Sequence, residues 1–125
     1  MKKTNIRVFT KLNDIEENNE FLAIKDDNLI KYIDLEDNKM TIDMEKNIII
    51  RENKDYLFNM DFNNNIITIN IKKIGKVLEK EINTMIISKS ETKYLIRYLL
   101  TDENIINEYY VKFWNSYCII NNKMV

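Results

Sequence analysis

Apolar and polar residues alternate in short runs along most of the chain, and the clearest example lies at its centre. Tyr, Phe and Met alternate with other residues over 56–62, three Asn follow at 63–65, and Ile alternates with polar residues over 67–72. Successive side chains of a β-strand point to opposite faces of a sheet, so a period of two predicts a strand with one buried face. We therefore predict a β-hairpin across 56–72.

Similar runs predict further strands, separated by polar turns at the spacing typical of a meandering β-sandwich or barrel. These strands cover residues 6–12, 20–25, 28–35, 40–44, 47–52, 94–100 and 106–114. The chain has one Gly and no Pro, so Asn and Asp must serve most of the turns. Asn tolerates a positive φ better than other non-Gly residues, which gives many of the Asn residues a structural explanation.

One stretch fits a helix as well as it fits a strand. Apolar residues over 74–86 recur at helical spacing, with Glu79, Lys80, Glu81 and Asn83 on the opposite face. An α+β domain with a helix near 76–87 is therefore the alternative fold.

Three short motifs between Leu29 and Phe113 resemble the YwiB-type family of uncharacterised bacterial proteins. They are Leu-Ile-Lys-Tyr-Ile-Asp at 29–34, Ile-Ile-Ile-Arg-Glu-Asn at 48–53 and Ile-Arg-Tyr-Leu-Leu at 96–100. The resemblance implies an all-β, antiparallel meander closed into a calycin-like (lipocalin-like) barrel of eight or more strands, with 77–87 as a strand. The Gly-x-Trp motif of lipocalins proper is absent, since the only Trp is Trp114.

Composition indicates one domain over 1–125, in which 115–125 is a possible C-terminal tail. The net charge is −1 and no basic stripe is visible, so we expect no nucleic-acid partner. No apolar run approaches the ~18 residues that span a bilayer, and 4–12 alternates instead of forming a signal-peptide core. We therefore expect a cytoplasmic protein without a membrane partner, as a monomer or weak homodimer.

The residue inventory argues against common catalytic and metal sites. The chain has no His, which is the usual general base and the commonest metal ligand, and its single Gly cannot build a phosphate loop. Cys118 is alone, so neither an internal disulfide nor a Cys-based zinc site is possible, and we expect it to be inert. The hypothesis is a non-enzymatic protein with no metal and no cofactor.

Arg51 is the principal candidate for a binding residue. It ends a run of three Ile residues, where a charge is costly unless it is paired or solvated. One interpretation is an anchor for an anionic group inside the barrel, with Asp34 and the hydroxyls of Tyr32 and Tyr98 as partners. The other is a strand-end arginine in an ordinary ion pair.

Other chemistry-bearing residues are expected to be structural. We predict that the aromatic residues of the last third and the methionines fill the barrel, and that the carboxylates at 34–37 form a solvated turn. The aromatic set is Tyr94, Tyr98, Tyr109, Tyr110, Phe113 and Trp114, and the methionine set is Met40, Met44, Met60 and Met85.

Two functions remain open at this point. The first is a barrel that binds a small, partly apolar ligand, with Arg51 orienting its polar end. The alternative is a protein-interaction module that uses an exposed strand edge or the tail 115–125 to bind a partner by β-augmentation.

Overall fold

The computed structural model describes residues 2–113, and within that range the chain is entirely β-structure and turns, with no helix. The all-β prediction is therefore confirmed. Trp114, Cys118 and the predicted tail 115–125 lie outside the described residues. The strands are β1 (Lys2–Leu12), β2 (Ile15–Asp26), β3 (Leu29–Ile33), β4 (Lys39–Asp43), β5 (Ile48–Glu52), β6 (Tyr56–Asp61), β7 (Ile66–Ile71), β8 (Lys76–Lys89), β9 (Lys93–Leu100) and β10 (Ile105–Phe113).

Each strand pairs antiparallel with the next, and β10 returns to pair with β1, so the ten-stranded meander closes into a barrel. The closing ladder runs from the pair Ile6 and Phe113 to the pair Lys11 and Glu108. Closure satisfies the backbone of the first and last strands, which an open sheet would leave as unpaired edges.

The helical alternative for 76–87 is wrong, because these residues belong to β8. A β-bulge between Thr84 and Ile86 adds one residue to the strand. The residues of β8 that lie opposite the inward-facing residues of β9 are Ile82 and Thr84 before the bulge, and Ile87 and Lys89 after it. The shift breaks the period of two and leaves a sequence pattern that resembles helical spacing.

Turns are built from Asn and Asp, as the composition predicts. Every non-Gly residue with positive φ in the described range is one of these two: Asn13, Asp14, Asp27, Asp37, Asn47, Asn65 and Asn104. The pair Asn13 and Asp14 (φ 53° and 65°) forms the tight β1–β2 turn, consistent with a type I′ hairpin. The residue pattern does not predict this hairpin, because β2 begins at Ile15 in a polar stretch without regular alternation.

One end of the barrel is filled and the other is open. Met44, Phe62 and Tyr94 are buried at the filled end, where the Tyr94 hydroxyl donates a hydrogen bond to Asn47 Oδ1 at 2.9 Å. The open end carries the β1–β2 and β3–β4 turns.

The predicted fillers of the barrel behave as expected with two exceptions. Met40, Met44 and Met60 lie in the core, as do the aromatic residues at 94, 98, 109 and 113. Met85 is 49% exposed and Tyr110 lies half-buried on the outer face, so for these two the prediction is wrong. Because the described residues contain no helix, none of them forms one that could cross a membrane.

Candidate ligand-binding site

A cavity of about 470 Å³ occupies the open end of the barrel. Its walls combine apolar side chains with a few polar and charged ones, and Arg51 is the one basic residue among them. The lining comprises Val8, Thr10, Leu12, Asn13, Ile15, Glu17, Asn19, Phe21, Tyr32, Asp34, Leu35, Glu36, Met40, Arg51 and Tyr109.

Strand register fixes the depth of Arg51. On three neighbouring pairs of strands, Tyr32 lies opposite Met40, Met40 opposite Arg51, and Arg51 opposite Phe58, which places these four inward positions in one tier. We call it the Arg51 tier. The tier below consists of Ile30, Ile42, Ile49 and Met60, each at most 5% exposed. Arg51 is thus the first charge above an apolar floor.

The Arg51 guanidinium stacks on a neighbouring ring but forms no polar bond. Its Cζ lies 4.7 Å from the centroid of the Phe58 ring, directly across the β5–β6 pair. Within residues 2–113 it has neither a hydrogen bond nor an ion pair. Stacking on a ring leaves the N–H groups at the edge of the guanidinium available to an acceptor in the cavity.

Asp34 lines the cavity but is committed to its own turn. Its Oδ1 accepts hydrogen bonds from the backbone N–H groups of Glu36 and Asn38, both at 2.9 Å, and its Oδ2 accepts one from Asn38 Nδ2 at 3.0 Å. It forms no ion pair with Arg51. The partnership that the sequence suggests between these two residues is therefore absent, although both face the same cavity.

Of the two predicted tyrosines, Tyr32 lines the cavity and Tyr98 does not. Tyr32 is 6% exposed and its ring lies 4.9 Å from that of Phe21 on the neighbouring strand β2. Tyr98 is more deeply buried: its ring lies 5.1 Å from Phe62, and its hydroxyl accepts a 3.4 Å hydrogen bond from Asn107 Nδ2. The structure thus brings three of the four predicted site residues to one cavity.

Tyr109, predicted from the sequence to fill the barrel, is also a cavity residue. It is 4% exposed, lies opposite Thr10 across the closing β1–β10 pair, and lines the cavity. Neither its hydroxyl nor that of Tyr32 has a hydrogen-bond partner within residues 2–113. Tyr109 reaches the cavity because the first and last strands pair, and no local sequence pattern predicts that pairing.

Burial raises the pKa of both cavity tyrosines well above the ordinary value of 10.0. For Tyr32, the negative charge of Asp34 raises the pKa further. For Tyr109, the next largest effect is the neighbouring Tyr98, which raises the pKa, while the positive charge of Arg51 lowers it. Both hydroxyls therefore stay protonated near neutral pH and can donate hydrogen bonds into the cavity.

Asn107 connects the turn above the cavity to the barrel interior. The backbone N–H of Asn13 donates a 3.0 Å hydrogen bond to Asn107 Oδ1, and Asn107 in turn donates to Tyr98. The buried amide thereby fixes the β1–β2 turn at the rim. No group of three or more Asp, Glu, Cys or His side chains in the described part of the chain is placed to hold a metal ion.

The fold and the site together define a ten-stranded antiparallel β-barrel with a partly apolar cavity at one end and an arginine inside it. Comparisons of the chain with protein-family models, curated proteins and solved structures found no match.

Proposed function

We propose that this barrel binds a small, partly apolar molecule in its open cavity, with an anionic or strongly polar end directed at Arg51. The observation that carries the proposal is the guanidinium itself, which faces the cavity without an ion pair or hydrogen bond within residues 2–113. Proteins rarely leave such a group unpartnered near an apolar floor, because its desolvation is costly. A ligand acceptor would offset that cost.

The surroundings of Arg51 support the same function. The hydroxyls of Tyr32 and Tyr109 add two donors, while Val8, Phe21 and Met40 provide apolar wall. Small-molecule sites are typically concave spaces of roughly 300–1,000 Å³ with mostly apolar walls and a few convergent polar groups. The cavity of about 470 Å³ fits that description.

We further propose that the chain is a bacterial, cytoplasmic member of the calycin-like barrels. The meander order and the pairing of β1 with β10 support this assignment, together with the resemblance of the motifs at 29–34, 48–53 and 96–100 to the YwiB-type family. Binding is proposed instead of catalysis because the sequence has no His and Asp34 is held in a turn.

The test is a ligand screen that compares the wild-type protein with Arg51→Met and a matched control, Arg97→Met. Arg97 is paired with Glu108 on the outer face, 2.9 Å from Nε to Oε2, so its loss leaves the cavity unchanged. Thermal-shift measurements against a library of metabolite anions, followed by native mass spectrometry, should give ligands that bind wild type and R97M but not R51M. Ligands that bind all three proteins equally, or no ligand at all, would contradict the proposal.

A second function is favoured by one specific feature, the C-terminal end of β8. Within the described residues, β7 pairs with β8 only from Lys76 to Glu81, so the backbone from Met85 to Lys89 has a strand neighbour on one side alone. Met85, Ile86 and Ile87 on this edge are 49%, 37% and 38% exposed. Unpaired, apolar edges are the template for β-augmentation.

Sedimentation measurements at increasing protein concentration test this alternative. If the edge pairs with a second copy, a dimer should form at high concentration and disappear in Ile86→Lys. A monomer at every concentration would argue against self-pairing through this edge.

A further inference from the structure

The charges that line the cavity are arranged by depth. Arg51 lies in the tier next to the apolar floor, whereas three carboxylates lie nearer the open end: Glu17 on β2, and Asp34 and Glu36 on the β3–β4 turn. Tyr32, in the Arg51 tier, precedes Asp34 by two residues. The cavity is therefore positive at depth and negative at its rim.

The two outer carboxylates are free to contact a ligand. Asp34 is held by three hydrogen bonds within its turn, but the side chains of Glu17 and Glu36 have no hydrogen bond or ion pair within residues 2–113. Glu36 also borders an outer depression that contains Lys39 and Lys54. Of the two glutamates, only Glu17 lines the cavity without also lining that outer depression.

This arrangement discriminates among anions. A doubly charged phosphate at Arg51 would gain one guanidinium and meet three carboxylates, a balance that opposes binding. A single carboxylate matches the one guanidinium, and a cationic group on the same molecule would be attracted to the rim. The two charges of such a ligand must lie apart, because Arg51 and the rim carboxylates lie at different depths of the cavity.

We propose that the ligand is a zwitterion whose carboxylate and ammonium groups lie at opposite ends of an apolar middle, as in a dipeptide with apolar side chains. This inference rests on the proposed function and specifies its ligand class. The carboxylate accepts from Arg51 and from the hydroxyls of Tyr32 and Tyr109. The ammonium donates to Glu17 and Glu36, and the side chains of the ligand contact Phe21 and Met40.

The experiment uses four probes: three forms of one dipeptide that differ at their charged ends, and one shorter zwitterion. They are leucyl-phenylalanine, its N-acetyl derivative, its C-terminal amide, and phenylalanine, in which the two charges are too close to reach both ends. Calorimetric titration of the full chain should show that the dipeptide binds about two- to fivefold more tightly than the N-acetyl form, the contribution of one exposed ion pair. The amide and phenylalanine should bind more weakly still.

Variants identify the side chains that bind the carboxylate and the ammonium group of the dipeptide. The double variant Glu17→Gln with Glu36→Gln should lower the affinity for the dipeptide by about two- to fivefold, whereas the N-acetyl form should bind equally or more tightly because two negative charges near an anion are removed. Arg51→Met should abolish the binding of both. Circular dichroism verifies that each variant folds, and because Glu17 and Glu36 are exposed at the rim, their substitution should leave the core intact.

The outcomes separate the two levels of the proposal. If the N-acetyl form binds as tightly as the dipeptide, or the double variant does not weaken the dipeptide, the zwitterion is refuted while an Arg51-dependent anion site stands. If the library screen yields anions that require Arg51 but the dipeptide does not bind, the same conclusion follows. If no probe and no library compound depends on Arg51, both the zwitterion and the proposed function fail.

Discussion

Replacing Arg51 with Met should make the protein without ligand more stable. The side chain of Met keeps the unbranched apolar stem of Arg but not its charge, so most packing contacts are retained. The substitution loses the stacking on Phe58 at 4.7 Å, worth about 0.5–1 kcal/mol. It also removes a guanidinium that is only partly exposed and has no polar bond within residues 2–113, and this partial desolvation costs about 1–2 kcal/mol.

The difference favours the variant by about 1 kcal/mol, which for a domain of this size raises the thermal midpoint by about 3 °C. Differential scanning calorimetry and urea unfolding followed by circular dichroism measure the change. Arg97→Met is the control: it breaks the surface ion pair with Glu108 and should lower the free energy of unfolding by up to about 1 kcal/mol.

The ion pair expected of a strand-end arginine is absent within residues 2–113, so the sign of the effect decides whether Arg51 is kept for binding or for the stability of the barrel. A binding residue that is retained at the expense of stability predicts that R51M unfolds at a higher temperature than wild type. If R51M unfolds at a lower temperature, as R97M should, then Arg51 holds the barrel together and the reasoning is refuted.

Three further predictions concern the barrel itself. Ile49→Ala removes a fully buried side chain from the apolar floor and should destabilise the protein by about 2–5 kcal/mol, against about 1 kcal/mol for the half-buried, outward-facing Ile50→Ala, measured by urea unfolding. Asn104 is exposed with φ 51°, so Asn104→Val should cost about 1–2 kcal/mol while Asn104→Gly leaves the midpoint nearly unchanged; equal effects would contradict the turn argument. Above about pH 10, unfolded tyrosines release protons that buried ones retain, so the free energy of unfolding should fall by about 1.4 kcal/mol per pH unit for each buried tyrosine. Tyr109→Phe should make that decline shallower, and an unchanged slope in urea titrations at several pH values would refute the role of burial.

Local patterns in the sequence predict the strands that have one solvent-exposed and one buried face. The hairpin across 56–72 is the clearest case, because β6 and β7 alternate regularly around a turn of three Asn residues. Where a strand departs from that condition the prediction weakens. The first part of β2 pairs only with β1 and is polar on both faces, and β8 contains a bulge that reverses its alternation.

Some residues of the candidate site can likewise be predicted from the sequence and others cannot. Arg51 is recognisable in the sequence because a charge directly follows three Ile residues, and Tyr32 occupies an inward position in a well-patterned strand. The role of Asp34 is different from the one expected, since its carboxylate binds the backbone two and four residues ahead. A short polar turn can always satisfy an Asp locally, and only the turn geometry shows whether it does.

The residue pattern alone predicts that the chain is built of β-strands, that Asn and Asp form its turns, and that a lone arginine borders its apolar core. These properties depend on neighbours along the chain, through side-chain alternation and the backbone preferences of single residues. Three other facts emerge only from the folded barrel: the sheet closes through β1 and β10, Tyr109 joins Tyr32 and Arg51 at one cavity, and Arg51 has no polar partner among the described residues. Those facts depend on the register between strands far apart in sequence, which is set by the packing of the whole barrel interior.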